Sequence, residues 1–365
     1  MKFKSERDVL AEALSAAGRA VSNRVLGAPS GILLNLQGNQ LTVTGTDTDL
    51  TVRTTFMVVG SEDGSVVVPA RLIGEVVRSL ESGAVSVHTQ GENLEIELNN
   101  ARFNLRTFPV TDYPKISPVT GAIAEIPAPD LANGLAQVLR AAATDDARPL
   151  LNGVLLTSEN NNLRLIATDS YRLAVRDMPG IPALNSTKDL LVPARALSEL
   201  QRATANLADD GTIGVAVTDS EISFVVGETS IASRLIDGNY PSVLQLIPTS
   251  FPSQLRIAKD TLLSSLRRAK LMAKDSTSSV RLTLKELTLE IRTQSQDSGD
   301  AEDKIQADYA GEEITIAFNP QFLIEGIESV VGDEVVLDIS DSVRPALIHG
   351  VDDLKFKYLL MPVRI

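Results

Sequence analysis

Leu165-Ile166-Ala167-Thr168-Asp169-Ser170-Tyr171-Arg172-Leu173-Ala174-Val175-Arg176 resembles an earlier stretch of the same chain, Val43-Thr44-Gly45-Thr46-Asp47-Thr48-Asp49-Leu50-Thr51-Val52-Arg53. Both read as an apolar run, Thr-Asp, a polar dipeptide, a second apolar run and an Arg. Asp47 and Asp169 are 122 residues apart, about one third of the 365-residue chain. Self-similarity at a fixed period marks a chain built from repeats.

Other landmarks keep the same phase. Val66-Val67-Val68-Pro69-Ala70-Arg71-Leu72-Ile73 reads as a strand, a Pro at the first helical turn, and a helix. Leu190-Leu191-Val192-Pro193-Ala194-Arg195-Ala196-Leu197 repeats it 124 residues on, and Ile314-Thr315-Ile316-Ala317-Phe318-Asn319-Pro320-Gln321-Phe322-Leu323 repeats it 127 residues later. Tyr113-Pro114 returns as Tyr240-Pro241. Each third also opens on a helix. Ser5-Glu6-Arg7-Asp8 has the spacing of a capping box, before Val9, Leu10, Ala13, Leu14, Ala17 and Val21 on one face. Leu131, Leu135, Val138 and Leu139 share a face in the second third. Asp260 is placed to cap the third such helix, with Leu262, Leu263, Leu266 and Ala269. Alternating strands fill the remainder, with Gly38-Asn39 and Asn160-Asn161-Asn162 as turn signals. The expected fold is α+β: three tandem copies, 1–121, 122–249 and 250–365, each with two helices on about eight antiparallel strands. Ser117 to Gly121 reads as a linker.

Composition narrows the function. No run of eighteen apolar residues suggests a membrane span, and Met1-Lys2-Phe3-Lys4-Ser5-Glu6 lacks the apolar core of a signal peptide, so a cytoplasmic location is expected. With no cysteine there is no disulfide, thiolate metal site or cysteine nucleophile. The two histidines, His88 and His349, sit in strand-like runs and read as structural. Asp297, Asp300, Glu302 and Asp303 form an acidic loop whose spacing does not match an EF-hand. The Ser nucleophile elbow, the P-loop and the dinucleotide fingerprint are all missing. Asn185-Ser186-Thr187 is a sequon without meaning in a cytoplasmic chain. Asp47 and Asp169 remain as catalytic candidates, but a Thr-Asp pair more often bonds turn amides. The expectation is no enzyme, no cofactor and no metal. Net charge is −13, unevenly spread. The helical segments 6–24, 71–81, 131–143, 195–205, 259–274 and 320–331 hold thirteen basic and nine acidic residues, whereas the rest is strongly acidic. Arg267, Arg268, Lys270 and Lys274 are the densest basic cluster. Such helices suit loose, sequence-blind contact with phosphates while the remainder repels them.

The phased repeats, the start Met1-Lys2-Phe3, the run Ala167-Thr168-Asp169-Ser170-Tyr171-Arg172-Leu173-Ala174 and the ending Tyr358-Leu359-Leu360-Met361-Pro362-Val363-Arg364-Ile365 together resemble the β subunit of bacterial DNA polymerase III, the replication sliding clamp. The resemblance spans the whole chain. It implies a head-to-tail homodimeric ring around duplex DNA, helices lining the hole. It also implies a processivity role: tethering the polymerase, with a clamp loader opening the ring and other polymerases and repair proteins bearing clamp-binding peptides sharing its docking pocket. The family's pocket falls on Leu151, Thr168, Leu173, Pro241, Leu246, Leu359 and Met361 as a deep apolar part, with Ser170, Tyr171 and Arg172 at its rim. Asn319, Phe322, Val343, Pro345, Pro362, Val363 and Arg364 form an adjoining shallow part. Several family members carry Gly-His at Ser170-Tyr171. The ring interface falls on Phe103 and Leu105 against Leu271 and Met272, with Arg102 and Arg106 facing the acidic loop. Arg24 and Arg148 match DNA-facing positions. Two alternatives stand beside this reading: a peptide-binding dimer never loaded on DNA, and a hydrolase using Asp47 and Asp169.

Overall fold

The structure, a computed structural model, describes residues 1–22, 27–116, 123–145, 147–160, 162–182, 184, 188–205, 207, 210–273, 279–295 and 299–364. Arg24, Asn161, Lys274, Asp297, Ile365, the linker Ser117 to Gly121 and the sequon Asn185 to Thr187 lie outside the described residues.

The first third runs β1 (Lys2–Glu6), α1 (Arg7–Ala20), β2 (Gly31–Gln37), β3 (Gln40–Thr46), β4 (Leu50–Met57), β5 (Val59–Glu62), β6 (Gly64–Pro69), α2 (Ala70–Ser79), β7 (Ala84–Gln90), β8 (Asn93–Leu98) and β9 (Ala101–Arg106). The middle third runs β10 (Ile123–Pro127), α3 (Ala128–Val138), β11 (Gly153–Glu159), β12 (Asn162–Thr168), β13 (Arg172–Pro182), β14 (Leu190–Pro193), α4 (Ala194–Thr204), β15 (Thr212–Val217), β16 (Glu221–Val226) and β17 (Thr229–Arg234). The last third runs β18 (Ser253–Ala258), α5 (Lys259–Lys270), β19 (Val280–Lys285), β20 (Thr288–Ser295), β21 (Gly299–Gln306), β22 (Asp308–Ala310), β23 (Ile314–Phe318), α6 (Pro320–Glu328), β24 (Glu334–Ile339), β25 (Ala346–Gly350) and β26 (Phe356–Leu360). Two helices and eight or nine strands per third, among the described residues, match the repeat read from the sequence.

Contacts divide the chain into two compact units: Met1–Pro129 with Arg195–Leu235, and Asp130–Ala194 with Ile236–Ile365. In the first unit one sheet has the order β5-β1-β7-β8-β9 and another β10-β15-β16-β17-β4-β3-β2-β6. In the second the orders are β14-β11-β12-β13-β26-β25-β24-β18-β22 and β21-β20-β19-β23. The middle third is thus shared. Its β17 pairs β4, Ile231 opposite Val52, and its β13 pairs β26, Leu173 opposite Leu359. Every sheet is antiparallel, with one face under helices. In the first unit Phe3, Leu10, Leu14, Leu34, Leu36, Val68, Ile73, Val77, Val87 and Ile96 form a continuous buried core.

The helix starts differ from the sequence reading. Ser5 lies in β1 and is buried, and its hydroxyl donates to the Glu6 carbonyl, so no capping box forms. Asp260 does not cap α5; Ala258 holds that position without a side-chain bond. Instead each opening strand runs straight into its helix. The first helical N–H is satisfied across the fold: Arg7 donates to Gly83, Ala128 to Gly211 and Lys259 to Asp333. The acceptor recurs once per repeat, so the orphan amide of a helix start is met by tertiary structure rather than by a local side chain. Pro69 and Pro193 end their strands one position before the helix, and only Pro320 sits inside the first turn, behind the Asn319 cap.

Candidate functional site

The two Thr-Asp stretches form the same turn. In the first, Thr48 N–H donates to the Thr46 hydroxyl (3.1 Å), and Asp49 and Leu50 N–H donate to Asp47 Oδ1 (3.2 and 2.8 Å). In the second, Ser170 N–H donates to Thr168 Oγ1 (3.1 Å), and Tyr171 and Arg172 N–H donate to Asp169 Oδ1 (2.9 and 3.0 Å). Thr48 and Ser170 both have φ of 79°, a left-handed geometry that costs a side-chain-bearing residue about 1–2 kcal/mol. Asp47 and Asp169 spend one oxygen on backbone amides and the other on Arg195 and Arg172. Neither carboxylate is left for acid–base work, which removes the basis for a hydrolase. Asp47 and Asp49 both lie in the first turn.

Beyond the second turn, side chains of β13 alternate between sheet faces. Leu173 and Val175 point to one face, where Leu173 sits opposite Leu359 and Leu359 opposite Leu347. Ile166, Leu173, Val175, Val243, Leu347 and Leu359 form a buried cluster with Tyr240, Ile247 and Phe251 against it. The segment carrying Pro241 and Leu246 therefore lies over this ladder. The segments that flank it carry exposed apolar side chains: Tyr171 57% before β13, Leu246 54%, Val343 68% in the turn before β25, and Met361 42% and Val363 36% after β26. The chain end is strapped down. Met361 N–H donates to the Tyr171 carbonyl (2.9 Å) and Val363 N–H to the Ala317 carbonyl (2.8 Å). Asp341 Oδ1 accepts from Val343 and Arg344 N–H, fixing the turn that presents Val343; these bonds hold its carboxyl below the usual range. Leu151, Thr168, Leu173 and Leu359 are buried; Pro345 and Pro362 are half-buried; Pro241 and Arg364 are exposed.

Arg172 follows the exposed Tyr171 but turns inward. It lies on the opposite face of β13 from Leu173 and is buried at 9%. Its guanidinium donates to Asp169 Oδ2 (3.0 Å), to Glu325 on α6 and to the Tyr358 hydroxyl (3.3 Å). It stacks 4.3 Å from the centroid of the Phe322 ring, which in turn lies 6.3 Å from the Tyr171 ring. Burial pulls the guanidinium pKa down, but Tyr358 and Glu325 push it above its ordinary value overall. Asn319 Oδ1 accepts from Gln321 and Phe322 N–H. A cleft of about 410 Å3 beside these rings is lined by Leu139, Ala143, Arg148, Tyr171, Arg172 and Phe322. The sequence reading missed Val243, Leu347, Glu325 and Tyr358. Val243 was visible beside Pro241, but the two polar groups meet Arg172 from 153 and 186 residues away.

The other candidates are positioned as follows. Phe103 and Leu105 lie on β9, an edge of the five-stranded sheet. Leu105 is 2% exposed within its own core, and Phe103 is half-buried against it. Arg102 pairs with Glu95 and Glu97 of the neighbouring strand. Leu271, at the end of α5, is 68% exposed, and Met272 follows it half-buried. Asp303 accepts from Ser265 and from Arg268, and Arg267 from the same helix pairs with Glu328 (2.8 Å). Much of that basic cluster is therefore met by nearby acids. Arg148 donates to the Asp169 carbonyl and the Ser170 hydroxyl (both 3.1 Å), which ties this DNA-facing candidate to the turn. His349 bonds Asp338 (3.0 Å), and His88 lies 3.6 Å from Glu95.

Antiparallel repeats, both turn carboxylates consumed, and an apolar site on the nine-stranded sheet beside the segment that follows β26 define a class: a repeat-built binding scaffold. The chain belongs to the DNA polymerase III beta subunit family, the sliding clamps, which are non-catalytic processivity subunits. Residues 1–117 match the family's N-terminal domain, 125–242 its central domain and 244–364 its C-terminal domain. The beta sliding clamp of Streptomyces coelicolor is 33% identical over 380 residues, covering all of both chains. The sliding clamp of Bartonella birtlesii, solved bound to griselimycin, superposes with a TM-score of 0.92 at 28% identity over all of both chains. That of C. crescentus, solved with polyethylene glycol at its putative beta-motif tethering region, has a TM-score of 0.90 at 26% identity, covering 100% of this chain and 99% of the other.

Proposed function

We propose that this chain forms a head-to-tail homodimeric ring that encircles duplex DNA in the cytoplasm and tethers the DNA polymerase III catalytic subunit. The clamp loader opens it, and other polymerases and repair proteins compete for the same pocket. The domains run 1–121, 122–249 and 250–365. The pocket's deep part comprises Leu151, Thr168, Leu173, Pro241, Leu246, Leu359 and Met361, bordered by Ser170 and Tyr171 and held from behind by Arg172. Its shallow part comprises Asn319, Phe322, Val343, Pro345, Pro362, Val363 and Arg364. The observation that carries this reading is the set of exposed apolar side chains around the Leu173–Leu359 ladder. Exposed apolar groups in one patch mark an interaction site. A ligand filling it with two or three apolar side chains gains about 1.5–3 kcal/mol from each. After ordering costs, affinity of about micromolar suits partners that must exchange. Griselimycin, which the Bartonella birtlesii clamp binds, is the natural probe. Calorimetric titration gives saturable binding in the wild type; no heat of binding at protein concentrations of about 100 micromolar, where a micromolar complex saturates, refutes the pocket.

The ring interface places Phe103 and Leu105 of one copy against Leu271 and Met272 of the next, and the inner surface presents Arg24 and Arg148. Ring closure explains how an acidic protein stays on DNA. Retention is topological, so weak phosphate contact suffices, and tethering raises the local polymerase concentration.

A further inference from the structure

We propose that Glu325 and Tyr358 are positioning residues for the pocket, clamping Arg172 beneath the Phe322 ring and so fixing the ring against which a bound ligand packs. The inference rests on the pocket reading above.

Asp169 alone already balances the charge of Arg172. Glu325 adds a second carboxylate to a mostly buried cluster, and an excess buried charge is unfavourable unless it is fully hydrogen-bonded. Here it is: Glu325 accepts from Arg172 through one oxygen and from Gln321 through the other. What the extra carboxylate adds is geometry. With Asp169, Glu325 and Tyr358 each taking N–H groups of one planar guanidinium, the plane has no freedom to rotate. It is held 4.3 Å from the Phe322 ring centroid, within the range of an attractive cation–ring contact. The Tyr358 hydroxyl also donates to the Phe322 carbonyl (2.9 Å), and Asn319 holds the Phe322 N–H (3.2 Å). The Phe322 backbone is therefore anchored on both sides, and Arg172 restrains what is left, the two side-chain torsions that swing and turn the ring. Gly326, one turn later in α6, has no Cβ, and any Cβ there would run into the Tyr358 ring. A glycine inside a helix costs helix stability, and close approach of another group is a reason to keep it. The Phe322 ring also neighbours that of Tyr171, centroids 6.3 Å apart, and Tyr171 is 57% exposed. The cluster thus sets where this ring pair stands between the deep and shallow parts.

The test is a double-mutant cycle in the full-length protein, read by griselimycin affinity. Glu325→Ala weakens binding about tenfold (a change readily resolved by titration), and Glu325→Gln, which keeps one acceptor, recovers part of that loss. If Glu325 acts through the ring, Glu325→Ala adds nothing once Phe322→Leu is present. Additive losses, or an unchanged affinity in Glu325→Ala, overturn the proposal. Should Glu325→Ala fail to fold, Tyr358→Phe keeps the ring packing while removing the hydroxyl, and the same cycle with Phe322→Leu decides. A wild type that does not bind griselimycin at all overturns the pocket reading itself. A wild type that binds, with additive cycles, overturns only the clamp.

Discussion

At the scale of single residues, the two roles available to a side chain here are separable by exposure. Met361 is 42% exposed beside Tyr171, so Met361→Ala removes ligand contact with little loss of core. Griselimycin affinity should fall about tenfold, the equivalent of about 1.4 kcal/mol, with an unchanged melting temperature; a fall in melting temperature without loss of affinity would falsify its assignment to the pocket. His349 shows the opposite case. It is buried, and its hydrogen bond to Asp338 raises its pKa above 6.5. Burial pushes Asp338 up, but the bonds from His349 and Gln254 bring it below 3.8 overall. For a group whose folded pKa is raised, the stabilisation is complete below the unfolded value and lost as pH climbs through the folded one. The His349 share therefore disappears on the alkaline side of 6.5, and the Asp338 share disappears as pH falls through its depressed value. Melting curves from pH 6 to 9 should show a decline that His349→Gln lacks; identical slopes in both proteins would refute it.

Elements carry the next level of function, and two of them separate folding from assembly. Leu105 faces the core from β9 and is 2% exposed, so Leu105→Ala costs about 2–5 kcal/mol of stability whatever it does to a dimer. Leu271, at 68% exposed, has no such core role. Leu271→Ala combined with Phe103→Ala should give a folded monomer in sedimentation, whereas Leu105→Ala should mainly lower the melting temperature. A dimer that survives the first pair overturns the interface. The tail beyond β26 is the second such element. Removing Met361 to Ile365 deletes the bonds to the Tyr171 and Ala317 carbonyls and should abolish griselimycin binding while self-association persists. Unchanged binding by the shortened chain would count against the tail as a pocket wall.

These elements also show what was legible in the sequence. The repeat, the order of strand then helix and the Thr-Asp turns rest on local patterns and could be read off, whereas Pro69 and Pro193 close their strands instead of opening the helices. The supposed caps at Ser5 and Asp260 could not, because carbonyls of Gly83 and Asp333 do that work from far along the chain. The apolar residues of the site were visible only through the family resemblance, since Leu173 or Leu359 alone reads as core. The face on which Arg172 sits follows from strand alternation, but its partners Glu325 and Tyr358 are set by tertiary packing.

For the whole molecule, charge is the informative quantity. A net charge of −13 gives no strong electrostatic hold on DNA, and several basic groups, Arg267 and Arg268 among them, are already paired within the chain. Retention on a nicked circle should therefore change little as salt rises, whereas a binder relying on six to ten phosphate contacts loses about 10³–10⁵ in affinity between 50 and 200 mM. Linearising the circle should release the protein. Salt-dependent binding that ignores DNA topology would sink the ring.

The sharing of the middle third between two sheets has a further cost, paid during synthesis. Strand β13, ending at Pro182, has its neighbour β12 at once, but its other edge waits for β26, which begins at Phe356. At about 5–20 residues per second, the ribosome takes roughly nine to thirty-five seconds to deliver that partner. Throughout this interval a nascent chain bearing Leu173 and Val175 offers an open, apolar strand edge to its neighbours on the same message.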